Sequence, residues 1–181
     1  MMISAVLCLV ALASEAQVIT SATVSNVYTM LTCDAGSEFA FNAESNDAGD
    51  IVAMEVYRKR PLRKGGVVLD PVCRYQYVYA ATGLLSSRVK HVWHGGEWQL
   101  MGKHDYRLTD GLYTVEYSRW SSKKDAYDQP LGMMTYSLLP DESVTTVACY
   151  RRHHKDQPME LEWQAVVESQ FASPDYDLTK E

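Results

Sequence analysis

Residues 91–100 read HVWHGGEWQL, which sets His91 and His94 three positions apart, with Glu97 close behind and His104 following. Imidazole nitrogen ligates zinc and copper well, so His91, His94 and His104 define the candidate metal chemistry, with His153–His154 as another source of a third ligand. The spacing argues against that chemistry. The helical zinc motif places two histidines four apart with a glutamate beside the first. On a strand, an odd separation sends the two side chains to opposite faces. The stretch reads more simply as a strand Arg88–Trp93, a Gly95-Gly96 turn and a return strand Glu97–Met101, with Trp93 and Trp98 packing across the hairpin. No metal and no cofactor are assigned on this reading.

The second chemically loaded stretch is RKRPLRK, residues 58–64, in which Arg58, Lys59, Arg60, Arg63 and Lys64 gather five positive charges in a chain of net charge −6. Such a run suits a heparin-like polyanion or an acidic lipid headgroup, or else it is a solvated loop. RRHHK, residues 151–155, is a smaller run of the same kind. Tyr75, Tyr77 and Tyr79 form a one-faced stripe that serves either as a stacking surface or as a sheet face in the core. The wetter opposite face of Arg74, Gln76 and Val78 favours the core.

Cysteines are few. Cys8 lies in the N-terminal apolar run, leaving Cys33, Cys73 and Cys149. In an oxidising compartment three thiols imply one bridge and one leftover. Cys73 opens a strand after Pro71, and Cys149 ends one before a basic turn. Strand ends are where a bridge is geometrically easy, so the expected pair is Cys73–Cys149, with Cys33 buried in an N-terminal strand or paired between chains. Nucleophilic catalysis has no signature: there is no Gly-X-Ser-X-Gly, no cysteine beside a helix start and no glycine-rich phosphate loop.

The elements that must carry these residues are short and alternate with period two. FAFNA, IVAMEVYR, CRYQYVYA, LYTVEYSR, LGMMTYSLL and SVTTVACY are bounded by clusters such as SNDAGD, RKGG, HGGE, TDG and KDQP. MELEWQAVVESQF alternates as well, so it reads as a half-buried strand. No amphipathic helix stands out. The expected fold is all-β: a single-domain antiparallel β-sandwich or barrel of about eight to ten short strands.

The N-terminus sets the expected compartment. MMISAVLCLVALASEAQ carries an apolar core from Ile3 to Leu12, and Ser14 and Ala16 suit the positions before a signal-peptidase cut. The run is too short to span a bilayer, which needs about 20 residues. The expected organisation is a signal peptide over 1–16, one β-rich domain over 17–171 and a frayed tail over 172–181. Loss of Glu15 with the leader takes the net charge to −5, and an acidic balance argues against general nucleic-acid binding. The functional expectation is a secreted, non-enzymatic binding or extracellular structural protein. Its partner would be a protein, a glycan or a matrix component, with no nucleic acid and no membrane span. The alternative is a secreted metalloprotein or hydrolase built on His91, His94 and His104.

Overall fold

The computed structural model describes residues 18–139, 144–154 and 156–166. The expected signal peptide and the frayed tail lie outside these residues. Among the described residues one helix, α1 (Ser21–Cys33), precedes ten strands. They are β1 (Phe39–Ser45), β2 (Ile51–Pro61), β3 (Val67–Tyr79), β4 (Leu85–His94), β5 (Glu97–Thr109), β6 (Leu112–Ser121), β7 (Ala126–Tyr127), β8 (Gly132–Leu138), β9 (Val144–Arg151) and β10 (Glu160–Val166).

All strands belong to one antiparallel sheet in which spatial order follows chain order, β1-β2-β3-β4-β5-β6-β8-β9-β10, while the short β7 pairs with the far end of β6. The all-β antiparallel class and the strand number are those read from the sequence. The layout is a single sheet not closed into a barrel: among the described residues β1 and β10 form its two edges and do not pair with each other. The stretch after Met159 forms β10, but all seven of its residues are exposed, so it is an exposed edge strand and not the half-buried one its alternation suggested.

The helix departs from the sequence reading, which placed Cys33 in a buried strand. SATVSNVYTMLTC is rich in β-branched residues, whose intrinsic preference is for strands. A capping box overrides that preference: the Thr20 hydroxyl accepts from the Thr23 amide at 3.2 Å, and the Thr20 amide donates to the Thr23 hydroxyl at 3.3 Å. Only Val24 of the helix is buried, so the apolar stripe that would announce a helix is nearly absent. Cys33 ends the helix and is exposed.

The pleat separates two unlike faces. One collects Phe41, Val56, Cys73, Tyr75, Tyr77, Tyr106, Tyr113 and Tyr136, which we call the tyrosine face. Val18 and Ile19 pack into its aromatic cluster, and the Ile19 amide donates to the Tyr113 hydroxyl at 3.3 Å. The tyrosine stripe of β3 is therefore core, with Tyr75 buried and Val78 on the opposite face exposed. That opposite face holds ion pairs: Arg74 with Glu44 at 3.1 Å and Glu55 at 3.9 Å, Lys103 with Asp105 at 2.7 Å, and Arg107 with Glu116 at 3.3 Å.

Candidate functional site

The β2–β3 hairpin carries the basic run and extends past its neighbours. β1 reaches only to Phe39, opposite Arg58, and β4 pairs β3 from Cys73 onward. Lys59–Pro61 and Val67–Leu69 therefore find their strand partners only in each other, apart from the Lys59 amide, which donates to the Glu38 carbonyl at 2.8 Å. The tip projects by about three residues, roughly 10 Å at about 3.3 Å per residue. Two of the five cations are engaged internally. Arg60 grips Asp70 with hydrogen bonds of 2.8 and 3.2 Å, which hold the Asp70 carboxyl below its usual range, and Arg58 lies 5.8 Å from the Phe39 ring centroid. Lys59, Arg63 and Lys64 have no ion pair among the described residues. Beside them Leu62, Val67 and Leu69 are 45%, 56% and 49% exposed, so the tip is amphipathic rather than simply charged.

The other basic run does not join it. Arg151 and Arg152 sit at the β9–β10 turn, at the same end of the sheet but five strand spacings away, roughly 24 Å along the sheet. These cations are tied down: Arg151 pairs with Glu162 at 3.3 Å, while Arg152 donates to the Pro130 carbonyl at 3.0 Å and to that of Gln157. Their role is to close the turn.

HVWHGGEW folds as a hairpin. Trp93 pairs with Trp98 across the ladder, their rings edge to face at 5.0 Å, and Gly95 and Gly96 occupy φ of 62° and 88°, which side chains resist. The histidines do not converge. His91 lies on the ion-pair face beside Arg74, and His94 lies at the hairpin end on the other face. His104 shares a face with His94 but pairs with Arg88, six residues back along β4, or roughly 20 Å. Burial, helped by Arg74, pulls His91 below its usual pKa. Burial, helped by Arg88 and Lys90, pulls His104 down to about 4. Among the described residues no group of three His, Cys, Asp or Glu could hold a metal.

The expected Cys73–Cys149 bridge is corrected as well. Cys73 is a buried free thiol on β3 and Cys149 a half-buried free thiol on β9. Five strand spacings separate them in the ladder, far beyond the roughly 7 Å between Cα atoms that a disulfide tolerates. Burial raises both thiol pKa values, with Glu162 adding to the rise at Cys149. Neither is primed as a nucleophile, which needs a lowered pKa.

Sequence reasoning passed over Arg88 and Lys90. Both point from β4 onto the tyrosine face, 5.5 and 5.8 Å from the Tyr75 ring centroid. Neither has a carboxylate within 4.0 Å among the described residues, and the buried Nε of Arg88 has no hydrogen-bond partner. The available signal was the pair RVK in a strand, two cations at period two facing a neighbour made of tyrosines.

Residues 2–138 match the model of a family of unknown function, DUF3836. The chain belongs to this family. The match ends with β8, so β9 and β10 lie beyond the span shared with DUF3836. A crystal structure of a protein of unknown function from Bacteroides fragilis NCTC 9343 is similar, with a TM-score of 0.63 at 20% identity, covering 73% of this chain and 94% of that one. It supports the fold. Two crystal structures of DUF3836 proteins also match in part. That from Bacteroides vulgatus ATCC 8482 has a TM-score of 0.45 at 22% identity, over 50% of this chain and 89% of its own. That from Parabacteroides distasonis ATCC 8503 has a TM-score of 0.42 at 20% identity, over 49% and 80%. No curated protein matches the chain.

Proposed function

We propose that this DUF3836 protein is a secreted, non-enzymatic binding protein whose partner is a polyanionic extracellular glycan or matrix component, engaged by the β2–β3 tip. The observation that carries this reading is the projection of that tip past both neighbouring strands with Lys59, Arg63 and Lys64 free of ion pairs among the described residues. An isolated ladder segment gains nothing for the fold from three unpaired cations, and a flexible polyanion can wrap it from both sides. The exposed Leu62 and Val67 add apolar contact between the charges. The raised thiols of Cys73 and Cys149 and the divergence of His91, His94 and His104 support binding over catalysis. Secretion rests on the N-terminal apolar run and its small-residue cut site.

The test is chromatography on immobilised heparin. The mature protein is expected to be retained at low salt and released as ionic strength rises, since exposed charges are screened beyond about 10 Å at 0.1 M. Changing Lys59, Arg63 and Lys64 together to Gln should bring the protein off much earlier. Absence of retention, or retention unchanged in the triple variant, would refute the reading.

A further inference from the structure

We infer that the tyrosine face holds a second, separate anion site, in which Arg88, Lys90, His104 and Tyr117 bind the oxyanion group of a small ligand, the carboxylate of an acidic sugar or the sulfate of a sugar ester. Three adjacent strands bring these groups together. The ladder sets Arg88 of β4 opposite His104 of β5, and His104 opposite Tyr117 of β6. Lys90 stands opposite Gly102, which in turn lies under Tyr117. A Cβ at Gly102 would come within 3.1 Å of the Tyr117 hydroxyl and 2.7 Å of the Ser118 carbonyl oxygen, so only glycine lets the hydroxyl lie over this point. The rings of His104 and Tyr117 are 5.0 Å apart.

The contrast with the other face gives the site its meaning. There the half-buried cations Arg74 and Lys103 each have a carboxylate partner. Here Arg88 and Lys90 share only the π face of Tyr75, and no side-chain hydrogen bond of Arg88, Lys90, His104 or Tyr117 is made within the described residues. A half-buried guanidinium without a counter-ion is costly, and an oxyanion is the group its planar fork and a neighbouring ammonium match best. Burial and the two cations leave His104 with a pKa of about 4, so the neutral imidazole donates from one nitrogen and accepts at the other. Tyr75, Tyr77 and Tyr106 flank the cluster and offer ring surface beside the polar anchors.

Isothermal titration of the purified mature protein with glucuronate, glucose 6-sulfate and neutral glucose tests the site. At least one of the two anions is expected to bind while glucose does not, and the anion that binds names the source. Arg88→Gln should weaken that binding tenfold or more and Lys90→Gln severalfold, while Arg88→Lys retains part of it. NMR titration of His104 gives a second readout on the unaltered protein, should Arg88→Gln fail to fold. The bound anion should raise the His104 pKa by offsetting the two cations. Binding of glucose equal to that of the anions, binding of neither anion, affinity unchanged in folded Arg88→Gln, or a His104 pKa that does not move would each overturn the proposal. Because Lys59, Arg63 and Lys64 are unchanged in these variants, heparin retention stays a separate test of the β2–β3 tip.

Discussion

The two ends of the sheet are built on opposite plans. At one end the chain re-enters the sheet on buried residues after each turn: Ile51, Leu85 and Val144 open β2, β4 and β9, Tyr113 follows the exposed Leu112 at the start of β6, and all four are buried. Val18 and Ile19 pack against Leu85 and Tyr113 there and tie the N-terminal segment to the sheet. At the other end the strands run out into water, with the β2–β3 tip, the Trp93–Trp98 hairpin and the β9–β10 turn all on the surface. In a meander, alternate turns fall at alternate ends, so stability and surface recognition can be segregated merely by what each turn carries. The difference teaches that the anchored end should respond to mutation as a core and the projecting end as a surface.

The largest effect is expected at Leu85, which is 3% exposed and packs among Val18, Tyr106 and Tyr113. Leu85→Ala removes buried methyl groups and leaves a cavity, at a cost of about 2–5 kcal/mol in denaturant unfolding. Leu69→Ala on the projecting tip should cost far less, since that side chain is already 49% exposed. Equal losses at the two positions would break the comparison.

The next effect is a pH dependence that sharpens the role of the sheet interior. His104 has a folded pKa of about 4 against an ordinary 6.5, with burial the main cause and Arg88 and Lys90 adding to it. Asp105 pulls weakly the other way, and Tyr106 and Tyr117 flank the ring. Between these values the unfolded chain binds more protons, so stability falls as pH drops from about 6.5 to about 4. The contribution is present in full above that window and is lost below it. It amounts to about 3 kcal/mol at most. Denaturant unfolding at pH 7 and pH 4.5 measures it, and His104→Phe should flatten the dependence. A dependence that persists unchanged in that variant would assign the effect to other groups.

A smaller loss is expected from Tyr113→Phe. The ring stays in the core, but the hydroxyl that accepts from the Ile19 amide at 3.3 Å is removed. The cost should be about 1 kcal/mol, with faster hydrogen exchange at the Ile19 amide. Unaltered exchange there would show that apolar packing of Val18 and Ile19 alone holds the segment.

How much of this was readable beforehand follows from what each inference needs. The hairpin at Trp93–Trp98 depends on a local signal, two glycines between alternating strands, and it stands as read. β10 likewise follows from the alternation of Leu161 and Trp163 with Glu160 and Glu162, although a bulge shifts its register between Leu161 and Trp163. The helix was hidden because Val24, Val27, Thr29 and Thr32 speak for a strand, and only the Thr20–Thr23 capping box speaks against. The cysteine pairing failed for a different reason. Whether Cys73 and Cys149 meet depends on strand order, which no local pattern encodes. The Arg88–His104 juxtaposition depends on register as well: a bulge between Lys90 and His91 sets β4 against β5, and a one-residue slip would have sent His104 to the opposite face.

The smallest effect on stability should come from the residues most important to the proposed function. Changing Lys59, Arg63 and Lys64 together to Gln removes three charges that have no ion pair among the described residues. Surface substitutions of this kind stay within about 0.5 kcal/mol each, and here relief of mutual repulsion between neighbouring cations opposes any loss of stem packing by Lys59. The denaturation midpoint should therefore barely move, while heparin retention falls sharply. Arg60→Gln provides the internal control. It breaks the paired hydrogen bonds to Asp70 at 2.8 and 3.2 Å, so it should loosen the tip, which appears as faster amide exchange at residue 60 and across Val67–Leu69. Loss of global stability in the Lys59, Arg63 and Lys64 variant would mean that the projecting end helps hold the fold together, and the division of labour between the two ends would fail.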